Sequence, residues 1–530
     1  MAVIEQATWS LSQQEREATV DRIAGNISTI TFFKGLEISD DAAKAAAVAA
    51  EKKAYTAAQV AARTTTGNRP AAETTSAYAR KLGELVLAAV SDAAASKQGP
   101  SAPGGDSAGE VDLCGSRDFL DADGARQALA PLLAAGASIN KVRFSTKSFG
   151  VEAANVAAEA LRAVASSLHH ADMSDIIAGR PEDEALEALR LVAAALATAK
   201  LRHLNLSDNA LGEKGVRAAA AALQPGLEFL ALQNVGCSVH ACKALAELLP
   251  QAASLAGLHL FNNMSGDEGA SHIASLLLRC PGMSDFKMAS SRVGPAGGSA
   301  LAQALGAGGS LVRLDLSDNP LTEEVAPALA ACLAAQPRLQ HLNLNDTGLT
   351  DEGVAVVCTA LAAAAPQLQS LELALNEITE EGAKAVVAAL ANKQQLSRLN
   401  LRENELEDAG AAVLARGLAA LPALESLDLC ANQIMRPGAL AVARALASRV
   451  KAAGGSKLQL LALDENAISE AGVEQLRALL TASFGSDAVL GPLDENDPDM
   501  AGDDDDDDEA GALAGEEEDG LAAALAAASL

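Results

Sequence analysis

At 530 residues the chain exceeds one ordinary domain unless it is a repeat array whose core grows by addition. Apolar residues make up 49% but aromatics only 2%, so the core has to be built from Leu, Ala, Val and Ile. The net charge of −29 argues against nucleic acid as a ligand, because phosphates would be repelled, and favours a basic protein partner.

Four regions follow one another. Residues 1–97 have helical periodicity, with Trp9, Val20, Ile23, Ile27, Ile30 and Phe33 as core contacts of a small N-terminal helical domain. Residues 98–110, inside "KQGPSAPGGDSAGE", are dominated by Gly, Pro and Ser and read as a flexible linker. Residues 111–485 repeat a short leucine pattern, as in "LRHLNLSDNALG" (201–212), "LVRLDLSDNPLT" (311–322) and "LQSLELALNEIT" (368–379). Residues 486–530 form an acidic tail. From Gly491 onward it holds fifteen acidic residues and no Lys or Arg, too much self-repulsion to pack.

Aligned on the residue three after the second strand leucine, the repeats step through Asn209, Val235, Asn263, Ser291, Asn319, Thr347, Asn376, Asn404, Asn432 and Asn466. Most steps are 28 residues, and weaker copies at Ser116, Lys147 and Ile176 bring the total to about thirteen. The fold class is therefore α/β: a leucine-rich repeat solenoid of ribonuclease-inhibitor-like units, one short parallel strand and one helix each. The strand leucines point inward and the asparagines satisfy turn backbone groups between coils. A helix is wider than a strand, so the array curves with its strands on the concave face.

Chemistry-bearing motifs are scarce. There is no GxxxxGK[ST], GxSxG or HExxH. The seven histidines fall in different repeats, and His259, between two strand leucines, reads as a solvated concave-face residue. The seven cysteines show no CxxC pair, which suggests a reducing compartment, and Cys237, Cys242, Cys280, Cys332 and Cys358 read as small buried helix residues. Ala2 to Glu17 has no apolar segment of signal type, and Glu, Arg and Lys interrupt the Ala-rich runs. Direct membrane insertion is not expected; a cytoplasmic or nuclear location is.

Two irregularities stand out. The step from Ile176 to Asn209 is 33 residues, about five above the norm, and the surplus lies at Ala178–Pro181. Gly179 permits an unusual backbone and Pro181 stiffens the exit, which places Arg180 at the rim of the concave face. Taken alone, Arg180 is best read as a loop arginine pairing with Asp175, Glu182 or Glu184. In "LALQNVGCS" (230–238) the register puts Val235 in the asparagine position and Asn234 one earlier, leaving the core to face the concavity. A slipped ladder, with Asn234 in the usual turn role, fits the 26-residue step equally well. The position before the ladder residue is polar or acidic at most repeats, including Asp208, Asn262, Asp318 and Asp346. With Asp315, Glu372 and Asp428 it predicts a negative stripe, either a solvated face or a steering surface for a basic partner.

On these residues the chain resembles a family. "SDIIAGRPEDEALEALRLVAAALATAKLRHLNLSDNALGEKGVRA" (174–218) is similar to the matching segment of Ran GTPase-activating proteins of the plant type, which pair leucine-rich repeats with an acidic tail. Residues 6–34 resemble the start of their N-terminal WPP domain through Trp9, Arg22, Asn26 and Ile27, although the Trp-Pro-Pro motif reads Trp9-Ser10-Leu11 here. The resemblance implies a partner, the small GTPase Ran in its GTP form, which itself supplies the phosphate loop, Mg²⁺ and a water-orienting glutamine. It implies no cofactor and no nucleotide site in this chain, which would act in trans. It assigns Asn234 to positioning the partner's glutamine, and Arg180, Asp208, Gln233, Asn262, Asp318 and Asp346 to the interface, with Arg180 not acting as a finger. It further implies a Ran-binding protein as an additional partner, and coiled-coil partners at the outer nuclear envelope reached through residues 1–97, with Trp9 the targeting residue. The competing readings are a non-catalytic binding scaffold and an acidic chaperone for basic proteins.

Overall fold

The computed structural model describes residues 109–134, 137–210, 212–453 and 457–497, together with residues 16, 20, 23, 46–48, 50–55, 78, 81 and 82. The chain divides into two compact units, Met1–Asp106 and Ser107–Leu530. In the first, Val20 and Ile23 are buried as the periodicity predicts, along with Ala47, Ala50, Ala54 and Tyr78. Its polar centre is the buried carboxylate of Glu51, which accepts from Arg16 Nε (2.7 Å), Arg16 Nη2 (2.6 Å) and the Tyr78 hydroxyl (3.2 Å). A fork of this kind costs least when every acceptor position is filled. Trp9, Ile27, Ile30 and Phe33 lie outside the described residues.

The second unit is built on a parallel sheet of thirteen strands in sequence order, and two further short strands, Asp118–Leu120 and Lys147–Phe149, pair in a second sheet. This matches the thirteen units that the leucine spacing predicts. Strands pair one repeat at a time and in register, for example His203 with Phe229 and Phe229 with Gly257, so residues about 28 apart in sequence become neighbours. The first strand, Gly109–Asp112, begins inside the stretch expected to be linker. At the other end the packing continues past residue 485. Gly491 N donates to Leu461 O (2.8 Å), and Asn496 accepts from Ile468 N (3.0 Å) as a last ladder asparagine. The tail beyond residue 497 lies outside the described residues.

Three side-chain ladders hold the coils together. Along the first, each asparagine serves two coils: Asn263 Oδ1 accepts from Cys237 N (2.9 Å), and its Nδ2 donates to Leu232 O (2.9 Å) and Leu260 O (3.0 Å). Buried backbone groups need such partners, which is why Asn recurs at this position. Along the second, an aspartate in one helix's first turn caps the next helix. Asp351 Oδ1 accepts from Thr379 N and Gly382 N (both 2.9 Å), and Asp408 Oδ1 from Met435 N and Gly438 N (both 2.9 Å). A Cβ at Gly382 or Gly438 would collide with those carboxylates, so the glycines belong to the cap. The third sits at helix C-termini. Gln336 Nε2 reaches Leu305 O (3.2 Å), and the buried Lys393 Nζ donates to Leu361 O (2.6 Å) and Ala364 O (2.9 Å).

The buried thiols give the array an alkaline limit. Burial pushes Cys280 up to about 11 and Cys332 and Cys358 up to about 12, whereas an unfolded thiol ionises near ~8.5. Their stabilising contribution is complete below the unfolded value and is lost as pH rises toward the folded ones. Burial pushes Lys393 down to about 8, which acts in the opposite sense up to the unfolded lysine value of ~10.4. Three thiols outweigh one amine. Urea midpoints measured under reductant should therefore fall from pH 9 to 10.5, and Lys393→Met should make the fall steeper. A midpoint flat over that range would contradict this.

Candidate functional site

The segment carrying Asn234 begins with the strand Phe229–Ala231 and turns sharply before the helix Val239–Leu248. Val235 is fully buried in the ladder and Asn234 is exposed, so the offset predicted from the register holds and the slipped alternative does not. Asn263 of the next coil still accepts from Val235 N, but Val235 has no side-chain group to serve Asn209's coil in turn. The turn is wound the other way: Asn234 has φ 51° and Gly236 φ 67°.

The same left-handed backbone recurs at every pre-ladder position from Asp175 to Glu465, with φ between 49° and 60°. Only glycine enters this region freely, and among other residues Asn and Asp tolerate it best. The Asp and Asn content of the column therefore has a backbone cause that no argument from charge requires. The column also sits on the turn past the strand end, at the rim, rather than on the open concave face. Asp208, Asn234, Asn262, Asp318 and Asp346 are all exposed there, and Gln233 is half-buried with its N–H on Ser207 Oγ (3.1 Å).

Side chains along the column touch from repeat to repeat. Asn234 Nδ2 donates to Asp208 Oδ1 (3.0 Å), and Asn262 Nδ2 donates to Asn234 Oδ1 (3.2 Å). Beside them opens a depression of about 430 Å³ lined by Asn234, Asn262, Met264, Ser290, Arg292 and Asp318. Sequence reasoning had not singled out Met264, Arg292 or Ser290 as a lining. Their signal was position: each lies one repeat on from a residue already in the column or in the loop after it.

The negative stripe is narrower than predicted. Asp315 is paired with Lys287 (2.8 Å), and Glu403 and Glu465 share Arg402. Asp208, Asp318 and Asp346 stay exposed along the rim, and burial and then the charges of Asp318 and Glu403 raise the Asp346 carboxyl above its ordinary value. Elsewhere the strand face carries a row of rings. His170 stacks on His203 (4.3 Å), His203 on Phe229 (5.8 Å), and Phe229 meets His259 edge-on (4.9 Å). Histidines from different repeats are thus spatial neighbours. His259 also contacts Asp285 through Nε2 (3.0 Å), so it is not the free surface residue expected.

Arg180 departs furthest from expectation. Gly179 takes φ 75°, and the helix Glu182–Leu196 starts after Pro181 with Glu182, Asp183 and Glu184 in its first turn. The guanidinium does not project from the rim. It turns back onto the two-stranded sheet of Asp118–Leu120 and Lys147–Phe149. There Nη2 donates to Ser148 O (2.9 Å) and Leu120 O (3.2 Å), and Nε to Ser148 Oγ (3.0 Å). Nη1 meets Glu184 (3.3 Å), and the ring of Phe119 lies 5.2 Å away. Of the other predicted carboxylates, Asp175 pairs with Arg117 and Glu182 with Lys214. Such a planar fork is not replaceable by lysine. Arg180→Ala and Arg180→Lys should each lower stability by ~2–4 kcal/mol and expose the amides of residues 147–149 to hydrogen exchange. Wild-type protection in both variants would refute that role.

The comparisons with known proteins bear on the repeats and the N-terminal segment. The WPP domain family model matches residues 6–100, and two leucine-rich repeat models match segments between residues 199 and 415. RAN GTPase-activating protein 1 of Arabidopsis thaliana is 38% identical over 243 residues, 42% of either chain. Ran GTPase-activating protein 1 of Xenopus laevis is 35% identical over 127 residues, 23% of this chain and 22% of that one. Ribonuclease inhibitor of Sus scrofa is 34% identical over 128 residues, 22% of this chain and 27% of its own. The chain spans about two fifths of the length of the plant relatives it matches. It is a leucine-rich repeat protein of ribonuclease-inhibitor-like architecture whose N-terminal segment matches the WPP domain, and its matched part is similar to RAN GTPase-activating proteins.

Proposed function

We propose that this chain stimulates hydrolysis of GTP bound to the small GTPase Ran, acting in trans, and so supports the Ran gradient of nucleocytoplasmic transport. The observation that carries the proposal is Asn234: an exposed amide on a tightly wound turn, displaced from the structural ladder by Val235 and anchored on both sides. One Nδ2 hydrogen and one Oδ1 lone pair remain after those two contacts. That is the complement of a second primary amide, such as a glutamine that orients an attacking water. GTP and Mg²⁺ belong to the partner, and no cofactor of this chain takes part. Arg180 acts by holding the N-terminal repeats in shape at the interface rather than by entering the partner's site. Asp208, Gln233, Asn262, Asp318 and Asp346 line the contact. Residues 1–97, with Trp9, dock to coiled-coil proteins at the outer nuclear envelope, and the protein is otherwise cytoplasmic. A Ran-binding protein assists, and neither nucleic acid nor direct membrane insertion is involved.

Single-turnover hydrolysis of Ran·GTP tests this. Activators of small GTPases accelerate by ~10³–10⁵, and an effect in that range is expected here. Binding of Ran·GTP without acceleration would leave a scaffold; binding of basic proteins at large without Ran specificity would leave a chaperone. Deleting residues 498–530 should slow association at low salt and matter little above ~0.5 M, where the Debye length falls to a few ångströms. A salt-independent effect would contradict electrostatic steering by the tail.

A further inference from the structure

We infer that Asp208 and Asn262 are positioning residues that set which way the Asn234 amide faces. The inference rests on the proposed function and adds to it a polarity. A primary amide on an exposed turn has two nearly isosteric orientations, related by exchanging oxygen and nitrogen. Between identical neighbours both would be populated, and only one would offer its donor and acceptor to a partner in the right order.

The neighbours here are not identical. Asp208, one repeat before, is a carboxylate and can only accept, so it selects the orientation that turns Nδ2 toward it (3.0 Å). Asn262, one repeat after, donates its own Nδ2 to the oxygen that this leaves on the far side (3.2 Å). The chain of donors thus runs in one direction, from Asn262 through Asn234 to Asp208. Because the acceptor-only group sits at one end, the direction follows from chemistry rather than from the placement of any hydrogen. All three residues share the left-handed turn geometry, with φ of 60°, 51° and 54°. Their backbone N–H groups are held by carbonyls of the following coil: Asp208 N by Gln233 O (2.8 Å), Asn234 N by Phe261 O (2.8 Å) and Asn262 N by Ala289 O (3.1 Å). The N–H groups of this turn therefore make no demand on the three side chains.

The test is a charge-conserving exchange. Asp208→Asn combined with Asn262→Asp keeps composition, net charge and two residue types that tolerate this backbone, but it reverses the relay. The Asn234 amide should then be held flipped. Loss of a charge-assisted bond in the productive orientation corresponds to a ~10–100-fold drop in its population. Maximal stimulated hydrolysis at saturating protein should fall by that factor with the melting temperature near wild type, whatever change in Kd the two contact residues bring. Asp208→Asn alone leaves three amides in a row and equal orientations, so it should cost only about twofold. Stimulation by the wild type that is lost in Asn234→Ala but kept by the exchanged protein would overturn this inference and leave the functional reading intact. A drop in the exchanged protein that appears only in Kd would also overturn it. No stimulation by the wild type would overturn the functional reading, and this inference with it.

Discussion

Replacing Asn234 with alanine should lower the maximal rate of stimulated hydrolysis ~10²–10³-fold, the cost of removing one preorganised hydrogen-bonding group from a reaction centre. The fold should not notice. Asn234 is exposed, the buried ladder position next to it is Val235, and the one structural bond lost on each side is to another exposed side chain. Alanine is less at ease than asparagine in a left-handed turn, but Ala431 occupies the same position with φ 52° elsewhere in the column. Affinity for Ran·GTP should change little, because a contact realised mainly in the transition state affects rate rather than binding. A tenfold or larger rise in Kd with an unchanged maximal rate would place Asn234 among ordinary interface residues.

The second large effect concerns the scaffold. Asn376 is fully buried and serves both adjoining turns. Nδ2 donates to Leu344 O (2.8 Å) and Ala374 O (3.0 Å), while Oδ1 accepts from Leu349 N (3.1 Å) and the Thr347 hydroxyl (2.8 Å). Asn376→Ala would strand several buried backbone groups at once and should cost ~3–5 kcal/mol. In a solenoid each repeat contacts only its neighbours, so lost hydrogen-exchange protection should concentrate around residues 344–404. A urea midpoint equivalent to less than ~1 kcal/mol of change would show that the ladder is dispensable. The same substitution should leave stimulated hydrolysis nearly intact under native conditions, since the Asn234 turn lies five rungs away.

The array itself was legible because its signal is periodic. Leucines and asparagines recurring at near-constant spacing admit one architecture, but counting along them left Asn234 open between an outward position and a slipped ladder, which the burial of Val235 decides. Less legible was anything that depends on where a rung's neighbours lie. The left-handed turn at Asp208, Asn234 and Asn262 left a trace in composition, but it was readable equally as negative charge. The contacts among these three were in principle readable, since residues in one register column sit about a strand spacing, ~4.8 Å, apart. The same reasoning would have stacked His170 on His203. Arg180's pairing with Glu184 was legible, but its main anchors were out of reach. Its partners, Leu120 O and Ser148 O, belong to a second small sheet formed after the ladder positions of the first repeats, and no periodicity announces that sheet. The closing coil left a weaker trace, because Leu493-Asp494-Glu495-Asn496 repeats Leu463-Asp464-Glu465-Asn466 but Gly491 stands where the first strand leucine would be.

The central claim is that this chain accelerates the partner's chemistry through one anchored amide. It is tested most directly by single-turnover hydrolysis of Ran·GTP at saturating wild-type protein and at saturating Asn234→Ala, with Kd measured for both. Strong acceleration by the wild type, lost in the variant at nearly equal Kd, is the predicted result. Equal acceleration by the two proteins at saturation would contradict it.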